Sequence, residues 1–213
     1  MTRTLGFLIF PGFQLLDAAG PMGAFEMPMR SIDPQPYDLR VFALEPGLVK
    51  SSVGVAMPAE GLDAAPRLDT LVVVGGWGVR ETFRQEAVLD FIRDQAATAR
   101  RVASVCSGSM LLAAAGLLDE RRATSHWGRA RQFPRLFPKV KFEPDRIWVR
   151  DGKFWTSAGV TAGIDLALAM IADDHGEEMA LKTAQELVVY CRRPGGQSQF
   201  SALLEMERPE GRF

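Results

Sequence analysis

The chain has 213 residues, 47% of them hydrophobic and 24% charged, enough apolar material for one domain-sized core. With a formal net charge of −1 and no run of Lys or Arg longer than two, direct contact with phosphate backbones is disfavoured, leaving small molecules and proteins as expected partners. No stretch nears the roughly 20 apolar residues of a membrane span, and the short apolar N-terminus reaches Pro11-Gly12 without a cleavage-site pattern, so a soluble cytoplasmic protein is expected.

In chain order, residues 5–10 are an unbroken apolar run ended by Pro11-Gly12, the pattern of a strand covered on both faces. Residues 15–27 carry a helical pattern, 40–44 predict a short strand, and the Gly- and Pro-punctuated 46–66 predict a hairpin containing Val53 and Val55. A buried strand over 71–74 runs into Gly75-Gly76-Trp77-Gly78, and an amphipathic helix follows over 88–99. Residues 101–105 predict a strand that meets Cys106-Ser107-Gly108-Ser109 and an apolar helix over 110–118. Asp151-Gly152 predicts a hairpin across 147–156, with closing helices over 161–172 and 177–189. The expected fold class is α/β, a doubly wound, mostly parallel sheet flanked by helices, with ligands collecting at the carboxyl ends of its strands.

Cys106 is the candidate centre, because a thiol between a buried strand and a helix is exposed at the sheet's edge and faces backbone N–H groups. The small residues Ser107, Gly108 and Ser109 let the chain turn tightly beneath it. A helix end contributes about 0.3–1 kcal/mol, whereas bringing a thiol from about 8.5 to below 6 takes more than ~3 kcal/mol. A protonated Asp17 donating to the sulfur is the expected further help. The N–H groups of Gly75 and Gly76 are candidates to hold a ligand oxygen beside that of Ser107. His126 can orient the thiol or cap a helix, and His175, beside Gly176, reads as a helix-end residue. Two histidines and no Cys-x-x-Cys give a metal site little to build from, and no cofactor is expected. A disulfide between Cys106 and Cys191 is not expected in a reducing compartment. Trp77, Phe25, Met22 and Trp127 are candidate pocket walls by loop position.

These motifs, 7–12 with Leu16-Asp17 and Gly20-Pro21, Val73-Val74-Gly75-Gly76, 104–109, and Arg122-Ala123-Thr124-Ser125-His126-Trp127, resemble the ThiJ/PfpI superfamily. The resemblance implies a class I glutamine amidotransferase-like, flavodoxin-like fold, a nucleophile elbow at Cys106, its acidic partner at Asp17, and a homodimer. Residues 161–168 and 186–200, with Arg192-Arg193-Pro194-Gly195-Gly196-Gln197, resemble the branch fused to AraC-type regulators. There such a domain is presumed to sense a ligand and precedes a helix-turn-helix domain. On that reading residues 1–200 are the ThiJ/PfpI-like domain, 201–213 are a tail or the start of a linker, and DNA is met only through a domain outside this chain.

The leading expectation is therefore a small-molecule sensing domain of an AraC-family regulator, its ligand held near Cys106, Asp17 and Gly76. The alternative is a stand-alone cysteine-dependent hydratase, since Asp17 and Cys106 followed by a hydroxyl residue, Ser107, resemble the isonitrile hydratases. An oxidation-responsive cysteine is a third class. Glutaminase and PfpI-type peptidase activities fit less well: Ser157-Ala158-Gly159-Val160-Thr161 stands where the first needs a His, and Ser107 where the second has one.

Overall fold

The computed structural model describes residues 2–191, 193, 196 and 197. The chain opens with β1 (Arg3–Leu8), α1 (Leu15–Met29), β2 (Tyr37–Ala43), β3 (Gly47–Lys50) and β4 (Ala56–Gly61). It continues through β5 (Thr70–Val73), α2 (Val79–Thr82), α3 (Glu86–Thr98), β6 (Arg101–Val105) and α4 (Ser109–Ala114). After β7 (Arg122–Ala123), α5 (Phe133–Leu136) and β8 (Lys141–Phe142) come the hairpin β9 (Trp148–Asp151) and β10 (Phe154–Ser157), then α6 (Ala162–His175) and α7 (Glu177–Glu186).

Eight strands form one sheet in the order β3-β4-β2-β1-β5-β6-β10-β9, and β7 pairs with β8 in a small second sheet. Pairing is parallel from β4 through β10 and antiparallel at the edges, β3 on β4 and β9 on β10. This is the expected doubly wound, mostly parallel sheet. Its strands are apolar throughout because both faces are covered. Successive residues alternate between two cores. Leu71, Val73 and Val102 pack with α3 and α4, while Val72, Ala103 and Val105 pack with α1 and α6. Among the described residues no helix is long and apolar enough to cross a membrane.

Two expectations need correction. The hairpin after β2 is built from 47–50 and 56–61, and Val53 and Val55 stand exposed in its turn. The turn takes them because Gly54, at φ 83°, supplies the left-handed residue it needs. The helix after Cys106 ends at Ala114, not 118, with Gly116 at φ 77° turning the chain away. The expectation for 201–213 lies outside the described residues.

Candidate functional site

The turns after β1, β5, β6 and β10 all leave the sheet at its carboxyl edge, and they converge on Cys106. The residue sits at φ 58°, a left-handed conformation uncommon for a residue with a side chain, which costs of order 1–3 kcal/mol. Close packing maintains it. A Cβ at Gly108 would stand 2.2 Å from the Val73 carbonyl oxygen, and one at Gly159 would stand 2.1 Å from Cys106 Cβ. Neither position tolerates a larger residue without moving the elbow. Ser109 and Ser125 fix it from behind, each donating its hydroxyl to the Cys106 carbonyl, at 3.2 and 3.1 Å.

Asp17, in the first turn of α1, is fully buried, and it lies close enough to the Cys106 thiol for each group to shift the other's proton affinity. Its Oδ2 accepts from the Gly75 N–H at 3.1 Å and its Oδ1 from the Val160 N–H at 2.8 Å. Val160 also has positive φ, 52°, an outlier for a β-branched residue, and that bend aims its N–H at the carboxylate. Strained backbone therefore flanks the acid on both sides. Burial pushes the Asp17 carboxyl up to about 6, against the opposing pull of the two N–H groups and the thiol. Burial, followed by the Asp17 charge, pushes the Cys106 thiol far above its ordinary range despite an N–H from Ser107 aimed at the sulfur. In both groups burial is the largest influence and favours the uncharged form. This replaces the expectation of a thiolate facing a protonated Asp17: a six-residue helix and one N–H do not offset the burial of a thiol only 9% exposed.

The remaining candidates fall into place unevenly. The Gly76 N–H donates to Ser107 Oγ at 3.0 Å, and that hydroxyl reaches back to the Gly76 carbonyl at 3.3 Å. With the Gly75 N–H given to Asp17, both glycine donors are spent inside the protein, and neither stands free for a ligand oxygen as expected. They fix the pair's surroundings instead. His126 caps the short turn Trp127–Arg129, its Nδ1 accepting from the Gly128 N–H at 3.1 Å, so of the two readings open to it the cap is the one seen. Burial, and then Arg129, holds its pKa below the usual range. Its ring joins Trp127, Ala158, Gly159, Val160 and Gln197 around a cavity of about 280 Å³ beside the elbow.

Of the expected pocket walls only Trp127 lines this cavity. Phe25 is in the core, Trp77 is largely exposed, and Met22 lines a separate depression near Tyr37. A larger cavity of about 610 Å³ is lined by Trp148, Trp155 and Asp165 among others; neither cavity is lined by Cys106, Ser107 or Asp17, and the smaller one reaches the pair through Gly159 and Val160. Cys106 and Cys191 are both free thiols. Among the described residues no cluster of His, Cys, Asp or Glu could hold a metal ion. Sequence reasoning missed Gly159, Val160 and Ser125. The strand-then-glycine pattern at the end of the 147–156 hairpin was the available signal for the first two.

Residues 3–173 match the DJ-1/PfpI family. The chain belongs to that family. As a DJ-1/PfpI protein it is 41% identical over 185 residues to the isonitrile hydratase of Pseudomonas putida, covering 84% of this chain and 75% of that relative. It is 32% identical over 191 residues to the HTH-type transcriptional regulator GbdR of Pseudomonas aeruginosa, covering 89% of this chain. The chain spans about half of that regulator's length, 51%. Among solved structures, a ThiJ/PfpI family protein from Pseudomonas syringae superposes with a TM-score of 0.80 at 29% identity, over 97% of this chain and 86% of that one.

Proposed function

We propose that Cys106 and Asp17 are a catalytic pair that adds water to a small neutral electrophile of the isonitrile class. The observation that supports this most is the pair itself: a thiol on a strained turn beside a fully buried acid that two backbone N–H groups hold in place and burial pushes up to about 6. A general acid–base group works best when its pKa lies near the working pH, and such a group contributes typically 10²–10⁴-fold. Asp17 meets that condition because its burial raises it into that range. The likeness to an isonitrile hydratase over most of the chain points the same way.

The reaction follows from the resting pair. Sulfur attacks the terminal carbon of R–N≡C as its proton passes to Asp17; the C–S bond forms, and Asp17 delivers the proton to that carbon, giving a thioimidate, R–N=CH–S–Cys106. Water then adds its oxygen to the same carbon. One water proton goes to nitrogen and the other, through Asp17, to sulfur as the C–S bond breaks, releasing R–NH–CHO. Asp17 ends as it began. Ser107 acts by position, its N–H on the sulfur and its hydroxyl holding Gly76, and the 280 Å³ cavity receives the substituent R. The test is formation of the N-substituted formamide from a small aliphatic isonitrile. Wild type should produce it and Cys106→Ala should not; equal rates in the two would overturn the reading.

A second reading has its own support: the likeness to GbdR extends over 89% of this chain and about half of that regulator. Here the same cavity binds a small molecule without turnover, in a homodimer whose geometry is passed to a DNA-binding domain beyond residues 1–200. Ligand-dependent change in dimerisation, measured by sedimentation and unaffected by Cys106→Ala, would favour this reading over hydration.

A further inference from the structure

Beyond the family-matched residues 3–173, the chain returns to the site. The Arg193 Nε reaches Asp165 Oδ1 at 2.8 Å and Oδ2 at 3.0 Å, and its Nη1 reaches Thr161 Oγ1 at 3.1 Å. A Cβ at Gly196 would stand 2.4 Å from the Asp145 carbonyl oxygen, and the Gln197 N–H donates to that oxygen at 2.8 Å. The Gln197 side chain is buried, with Nε2 near Thr124 Oγ1 (3.3 Å) and the carbonyls of Ser125 (3.0 Å), Pro144 (2.9 Å) and Arg146 (2.9 Å). All four partners are oxygens, which sets the amide's orientation. Oε1 is left buried without a partner among the described residues.

Both anchors stand one step from the reactive pair. Ser125 accepts from Gln197 on its carbonyl and donates its hydroxyl to the Cys106 carbonyl. Thr161 accepts from Arg193 and follows Val160, whose N–H holds Asp17. Arg193 and Gln197 also line the cavity beside the elbow. The first anchor therefore bears on the nucleophile and the second on its acid.

We infer that Gln197 and Arg193 are positioning residues that clamp the Cys106–Asp17 pair from outside the family core, Gln197 through Ser125 and Arg193 through Thr161–Val160. Releasing the clamp relaxes the elbow and admits water to the thiol. The position of the chain around Gln197 and the reactivity of Cys106 are then coupled in both directions. A molecule filling the cavity touches the clamp directly, at Arg193 and Gln197, and the thiol only through Gly159 and Val160.

The inference rests on Cys106–Asp17 being the working centre, but its test reads thiol reactivity and not turnover, so failure of the hydratase reading leaves it standing. The full chain is alkylated with iodoacetamide from about pH 6 to about pH 10, with peptide mass spectrometry separating Cys106 from Cys191. In Gln197→Ala the Cys106 alkylation rate should rise about tenfold at every pH of the series, all of it below the midpoint, as expected for a midpoint about one unit lower. Gln197→Glu, which sets a carboxylate among four oxygens, should shift at least as far, and Arg193→Gln should shift less in the same direction. A folded Gln197 variant that loses thermal stability while keeping the wild-type profile would overturn the inference. If neither Gln197 variant folds, an unchanged profile in Arg193→Gln overturns it.

Discussion

Strand β6 begins at Arg101 and ends beside Cys106, with a buried ionisable cluster at each end. At the amino end the charges are matched. Arg101 Nη2 meets Asp174 Oδ2 at 2.6 Å, its Nη1 meets the Met170 carbonyl at 3.1 Å and its Nε meets Thr70 Oγ1 at 3.2 Å. Asp174 also accepts from the Tyr37 hydroxyl at 3.0 Å and pairs with Arg100 at 2.9 Å. At the carboxyl end Asp17 has two N–H groups and, among the described residues, no cation, and two residues around it have left-handed backbone. Paired charge at one end holds the fold, and on the proposed reading an acid raised by burial, beside strained backbone, is the proton carrier at the other.

The sharpest way to break this contrast is at the thiol. Cys106→Ala should abolish hydration of an isonitrile, measured as formamide produced, while unfolding at nearly the wild-type urea concentration. Next comes Asp174→Ala, which leaves buried Arg101 with only the more distant Asp173, at 3.7 Å. It should cost roughly 3–5 kcal/mol of stability by urea unfolding while the folded protein keeps the proposed hydration activity.

Asp17→Asn sharpens the comparison through pH. A carboxyl raised from 3.8 to about 6 on folding binds its proton more tightly in the folded state, so it destabilises the protein above about pH 6. That cost, roughly 3 kcal/mol for about two units, is recovered as pH falls from about 6 to about 4. Wild type should therefore gain on Asp17→Asn over that interval; a stability difference independent of pH would contradict the assignment. The smallest effect belongs to the surface, where Arg30→Gln, breaking an exposed pair with Glu26, should cost under about 0.5 kcal/mol in the same unfolding experiment.

The fold was legible because its signals are local. Apolar strands, glycine turns and the Asp151-Gly152 hairpin mark the sheet, and β6 begins and ends at the residues expected from its sequence. Cys106 was legible for the same reason, standing between a strand and a small-residue turn. Asp17 was legible through its motif and the family resemblance. The neighbours were not, because Gly159, Val160 and Ser125 meet the pair, and Gln197 meets Ser125, across tens of residues of chain, and spacing carries no record of such contacts. The Gly75 and Gly76 donors were misread because a free N–H and one spent on a neighbour look alike in sequence. The direction of the thiol shift was misread because it depends on burial, which only packing reveals.

The most direct test of Asp17 as the proton carrier is the pH dependence of kcat/KM for isonitrile hydration in wild type and Asp17→Asn. The account predicts that the wild-type rate rises as pH increases through about 6, where Asp17 becomes the base for the thiol, and that this limb disappears in Asp17→Asn along with about 10²–10⁴-fold in rate. A limb of the same position and height in the variant, or no hydration by the wild-type protein at any pH, would contradict it.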